Sequence, residues 1–137
     1  LIDTGSPEST TGQAVAHVSQ RFSKDHEIWK QFENTTQAII QAWSNQNTQE
    51  LYKGVHQNQV LLEKIGVVPD EVTNFIKALS VDYQAVAKVC GSGSTKGHHA
   101  GILLCFSEQE PAALCAEYGY RCQPIRVAHQ GVLCQIL

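Results

Sequence analysis

The sequence predicts an α+β fold: a block of helices packed on one face of a small, mainly antiparallel four-stranded sheet. Three observations carry this. The first half repeats apolar residues at spacings of three and four. The second half breaks into short apolar runs separated by turn residues. The order strand, loop, strand, helix, strand, strand then follows a helical block, which is the α+β pattern. With 137 residues, an apolar fraction of 42% and a charged fraction of 17%, the chain suits one domain, 1–137, around one hydrophobic core.

The helices are read in order. Ser6 is a candidate cap with Pro7 at the first helical position, followed by Val15, Val18 and Phe22 on one stripe. A second helix carries Ile28, Phe32, Ile39 and Trp43. The polar run Ser44–Thr48 is a helix-to-helix turn. A third helix holds Leu51, Val55, Leu62 and Ile65 and ends at Gly66, a natural left-handed cap. A fourth opens at Pro69-Asp70-Glu71, with acids at the positive end of its dipole, and its face is Val72, Phe75, Ile76 and Leu79.

The strands follow. Ala85–Cys90 and Gly101–Phe106 read as strands flanking a turn-rich loop, Gly91–Gly97. The second is a continuous apolar run, hence central. Ser107–Tyr118 reads as a helix with Ser107 and Glu110 at capping-box spacing, although Pro111 in its first turn moves the start toward Glu110. Arg121–Val127 is a strand that Pro124 pushes to an edge or a bulge. Val132–Leu137 is the last strand. The opening Leu1-Ile2 resembles the end of a strand, and with no Met in the chain it points to a fragment of a longer protein.

Composition narrows the function. The net charge is −3 and there is no block of basic residues, which argues against nucleic acid or an anionic membrane as partner. No apolar run approaches the roughly 20 residues that span a bilayer, and the amino terminus lacks the features of a signal peptide. The five cysteines, Cys90, Cys105, Cys115, Cys122 and Cys134, form no C-x-x-C pair. They read as reduced small hydrophobes of a cytoplasmic protein.

The loop Gly91-Ser92-Gly93-Ser94-Thr95-Lys96-Gly97 is the strongest chemical feature. Its glycines permit positive φ and close approach to a ligand, and consecutive N–H groups in such turns make anion-binding concavities. Ser92, Ser94 and Thr95 add hydroxyls and Lys96 a positive charge, a set suited to phosphate. It is neither a Walker A loop nor a dinucleotide fingerprint, because a strand follows rather than a helix. A plain polar hairpin loop is the competing reading. Ser9 and Thr10 either cap the first helix or face a bound anion at its N-terminus. His98-His99 lacks metal-ligand spacing and His56 sits among polar neighbours, so no metal site is assigned. Nothing near Cys90 marks it as a nucleophile, and no catalytic set stands out, so no catalytic residue is assigned to this chain.

Three segments resemble one family. Lys88-Val89-Cys90-Gly91-Ser92-Gly93 followed by Ala100-Gly101-Ile102 is similar to the third motif of the GHMP-type small-molecule kinases, K-L-T-G-A-G-G-G-G-C-x-I. Asn58–Leu62 with Gly66-Val67 resembles N-x-x-L-L-x-x-L-G-V of the mevalonate kinase branch, and Gly5–Thr10 resembles its G-x-P-x-S-T stretch. Here Ser94–His99 replaces the family's glycine run, and Thr11 stands where the family often has Lys. The resemblance implies the C-terminal domain of an ATP-dependent kinase acting on an alcohol, foremost mevalonate, in isoprenoid biosynthesis. Phosphomevalonate kinase and other GHMP kinases are the nearest alternatives. It implies that ATP and Mg2+ are bound mainly by an N-terminal domain outside this chain, which also holds the catalytic groups, so that this part alone is inactive. Gly91, Ser92, Gly93, Ser94, Thr95, Lys96, Ser9 and Thr10 would line the phosphate or substrate region. The face left by the absent domain would be apolar and favour a homodimer. A free-standing regulatory module that binds a small metabolite is the alternative from another class.

Overall fold

Three of the five described helices start at side-chain caps that the local sequence supplies, as the computed structural model shows over residues 1–126. Helix α1 (Thr11–Phe22) starts at Thr10, not at Ser6. Thr10 accepts from the Gln13 N–H while the Gln13 side chain accepts from the Thr10 N–H. This reciprocal capping box satisfies two otherwise orphaned donors, and Ser6 offers no equivalent. Helix α2 (His26–Ser44) is capped by Asp25, and helix α3 (Thr48–Lys64) by Asn47. Gly66, at φ +76°, closes α3, with the Val67 N–H reaching the Leu62 carbonyl in the arrangement a left-handed residue permits. Helix α4 (Asp70–Tyr83) follows Pro69 and carries Asp70 and Glu71 in its first turn.

The four described strands are β1 (Ile2–Asp3), β2 (Val86–Val89), β3 (Ile102–Phe106) and β4 (Arg121–Cys122), in the order β2-β3-β1-β4 and all antiparallel. The expected α+β class is therefore observed. The expected central strand is internal, and of Leu1-Ile2, expected as the end of a strand, Ile2 belongs to β1, which continues to Asp3 and lies between β3 and β4. The strand expected over Arg121–Val127 keeps only Arg121–Cys122. Pro124 cannot donate to a ladder, and β4 lies at the edge of the described sheet. The strand expected at Val132–Leu137 lies outside the described residues.

Helix α5 spans only Ala112–Glu117. The Ser107 hydroxyl instead closes a small turn on Gln109, accepting from its N–H and donating to its carbonyl. Pro111 disfavours helical backbone at Glu110, so the helix starts behind the proline.

Two cores result. One joins α4 and α5 to the inward face of the sheet through Phe75, Leu79, Ile2, Ala87, Val89 and Leu103, with Cys115 and Tyr120. The other joins Ala14, Ile28, Leu61, Ile65 and Val67 from α1, α2, α3 and the turn after it. Helix α3 links them by running along β2. There the side-chain oxygen of fully buried Gln59 accepts from the Val89 N–H at 2.9 Å, covering an edge donor that would otherwise be open. Trp43 departs from its expected stripe. It is 60% exposed, and Ala42 takes the inward position. The pairing of α2 with α3 depends on close approach, since a Cβ at Gly54 would lie 2.6 Å from Ile39 Cγ1.

Candidate functional site

The glycine loop folds back onto the segment leading into α1. Positive φ at Gly91, Gly93 and Gly97 bends it there. At Gly93 the reason is steric as well: an added Cβ would overlap the Val67 carbonyl oxygen, and that same oxygen accepts from the Ser94 N–H at 2.9 Å. At Gly97 an added Cβ would overlap the Glu8 carboxylate, which accepts from the His98 N–H at 2.8 Å.

Ser9 and Ser94 form the joint between loop and helix. Ser94 is fully buried and Ser9 is 4% exposed. The Ser94 hydroxyl donates to the Lys96 carbonyl at 2.7 Å. Its oxygen accepts from the Ser9 N–H, and the two hydroxyl oxygens lie 3.1 Å apart. With the Ser94 proton committed, the Ser9 hydroxyl is the donor in that pair, and its own oxygen accepts from the Thr95 N–H at 3.0 Å. Both protons are thus used internally. These two serines hold the loop in place rather than face a ligand.

The open end of the loop is different. Gly91 is exposed, and the position its Cβ would occupy has nothing within 4 Å. The N–H groups of Gly91 and Ser92 have no hydrogen-bond partner among the described residues. The Ser92 hydroxyl lies 3.3 Å from that of Thr11 in an exposed position. Thr11 is the first residue of α1, so these groups stand at the positive end of the helix dipole. Free N–H groups, two hydroxyls and a helix N-terminus are the donors a phosphate or carboxylate needs. Thr10 stands beside them, but its side chain is committed to the cap.

Lys96 is exposed and lines a second cleft of about 510 Å³ with His17, Arg21, Asp70, Glu71 and His98. That cleft has both signs of charge. His98 Nδ1 sits 2.6 Å from Glu71, and His99 Nδ1 sits 3.7 Å from Glu8. The two histidines therefore tie the loop's far end to α4 and to the lead-in of α1. The Tyr120 hydroxyl donates to the His98 carbonyl. Burial, then the nearby Glu71, push its pKa up to about 12, so it remains a donor at neutral pH. Among the described residues no group of three His, Cys, Asp or Glu is placed to hold a metal ion, and no helix is long and apolar enough to cross a membrane.

Sequence reasoning singled out the loop and Ser9 as lining an anion but did not anticipate Thr11 as a partner of Ser92, or Glu8, Glu71 and Val67 as the loop's anchors. A threonine one place past a cap carries no signal alone. The anchors lie up to about ninety positions away in the chain, where only folding brings them. Compared with protein-family models, with curated proteins and with solved structures, the chain matches none.

Proposed function

We propose that this chain is the C-terminal domain of a GHMP-type, ATP-dependent small-molecule kinase that phosphorylates an alcohol, with mevalonate as the first substrate to test. One observation carries the reading. The three segments that resemble the family's motifs, far apart in sequence, meet at one place. The Gly5–Thr10 stretch and the glycine loop are joined through Ser9, Ser94 and Thr95. The third segment joins the same loop through Val67 and supports the strand leading into it through Gln59.

In this reading Gly91, Ser92 and Thr11 supply donors to a phosphate group or to the negative charge that develops on it. Ser9, Ser94 and Gly93 hold those donors in position. Phosphoryl transfer depends chiefly on positioning and charge stabilisation, so a rigid set of donors is a suitable contribution. ATP, when bound, supplies the phosphoryl group. The donors described fit its phosphates, whereas Mg2+ is assigned to no residue of this chain. Lys96 is a flexible cation at the rim that approaches an anion from the cleft beside the loop.

The test uses the protein that carries this domain together with a nucleotide-binding lobe. With ATP, Mg2+ and mevalonate it is expected to release ADP and phosphorylated mevalonate, and the 137-residue chain alone is expected to release none. Turnover of phosphomevalonate or a sugar but not mevalonate would replace the substrate. Transfer to none of these alcohols would overturn the kinase reading.

A further inference from the structure

Gln59 is fully buried on helix α3, and both ends of its amide are used. The side-chain oxygen accepts from the Val89 N–H at 2.9 Å. The side-chain nitrogen donates to the Glu63 carboxylate, one turn further along the helix, at 2.9 Å. Together the two bonds fix the sense of the amide. A carboxylate only accepts, so the nitrogen must face Glu63 and the oxygen must face the strand. A buried apolar side chain of similar size fills such a space without needing any partner, so packing alone does not call for an amide here.

The donor that Gln59 holds stands just ahead of the mouth of the glycine loop. The Cys90 N–H bonds to the Ile102 carbonyl. Bonding alternates along an antiparallel strand, so the Val89 N–H points away from β3. The next donors along the chain are the open N–H groups of Gly91 and Ser92. Beyond them the Ser94 N–H is held by the Val67 carbonyl, and Val67 lies just past the end of α3. Helix α3 and the turn after it therefore grip the chain on both sides of the mouth, with a side chain at the entry and a backbone carbonyl at the exit. Between the grips Gly91 and Gly93 take positive φ, and glycine torsions are the least restrained of any residue.

We infer that Gln59 is a positioning residue for the anion-binding mouth: it pins the strand end that delivers the Gly91 and Ser92 N–H groups, and so sets how well they converge on a phosphate. This rests on the reading of the mouth given above. Donors aimed at a phosphate act through preorganisation. Loss of the Gln59 acceptor therefore lowers affinity without removing any group that touches the ligand. Glu63 shares the role at one remove, because it keeps the amide from turning its nitrogen toward Val89.

The experiment compares the chain with Gln59→Met and with Ile28→Ala. Ile28 is buried on α2 and makes no hydrogen bond to the loop or to β2, so its loss destabilises through packing. Two things are read by NMR on the folded proteins: the Gly91 and Ser92 amide resonances, and the affinity for inorganic pyrophosphate followed on them. Gln59→Met is expected to move both resonances and to weaken pyrophosphate about tenfold. Ile28→Ala is expected to leave the resonances in place and to change affinity by less than about twofold. Should Gln59→Met not fold, Glu63→Ala is read in the same way, with a loss of about threefold. Unmoved resonances in the Gln59 or Glu63 variant, or an equal loss of affinity with Ile28→Ala, would overturn the role. If the unsubstituted chain binds no pyrophosphate, the anion reading of the mouth fails by itself. The resonances then decide Gln59 alone: moved by its substitution and not by Ile28→Ala, the positioning stands, and otherwise it falls.

Discussion

The two ends of the glycine loop differ in what their residues do, although their composition is alike. At Gly91-Ser92 the chain stands clear of its surroundings, with two N–H groups without partners among the described residues. From Gly93 to His98 it is pressed against Val67, Ser9 and Glu8. Glycine at Gly91 leaves space for something else, whereas glycine at Gly93 and Gly97 removes an obstacle to packing. The serines divide the same way: Ser92 is paired only with exposed Thr11, and Ser94 is buried with every valence used. A glycine- and serine-rich loop is therefore two devices in series, an anchor and an open mouth.

Substitutions that break the anchor should act on folding, and those at the mouth on binding. The largest effect is expected from Gly93→Ala. A Cβ there meets backbone rather than a movable side chain, and φ is +62°. A loss of about 4 kcal/mol or failure to fold is expected, read by urea denaturation. Ser94→Ala should cost about 2–3 kcal/mol by the same measurement. It strands the Ser9 N–H and hydroxyl in a buried place, where unmet donors carry their desolvation penalty.

The exposed positions, Lys96 on the neighbouring cleft and Gly91 at the mouth, should behave in the opposite way. Lys96→Ala should leave the urea midpoint unchanged. On the proposed kinase reading, in a protein that carries this domain with a nucleotide-binding lobe it should weaken binding of nucleotide or phosphorylated product by about 1–3 kcal/mol, the scale of a charge-assisted hydrogen bond, read by calorimetry. An unchanged affinity would mean that Lys96 faces only solvent. Gly91→Ala sharpens the contrast most. The site has room for the methyl group, so only the backbone penalty of φ +80° remains, about 1 kcal/mol. If it proves as damaging as Gly93→Ala, the distinction between anchor and mouth fails.

Much of the fold was legible before folding was considered. Gly66 closes α3 because a left-handed residue is needed there, and Asp70 and Glu71 open α4 for electrostatic reasons. Both signals are local. The misplacements were contests between local signals that contacts settled. Ser6-Pro7 carries a helix start, yet the Thr10–Gln13 capping box and the pull of Ser94 on Ser9 place the start four residues later. Trp43 continues an apolar stripe, but the close approach of α3 at Gly54 brings the small Ala42 inward and leaves the indole outside.

The α+β class, the strand–loop–strand unit and the phosphate-friendly composition of the loop are legible in local sequence, because periodicity, capping and glycine content are properties of neighbours along the chain. Which loop residues face outward was settled by folding. That choice rests on Val67, Glu8 and Thr11, which lie far from the loop in sequence and beside it in space. A hydroxyl's role depends on whether its proton is already committed, and that is a matter of who its neighbours are after folding.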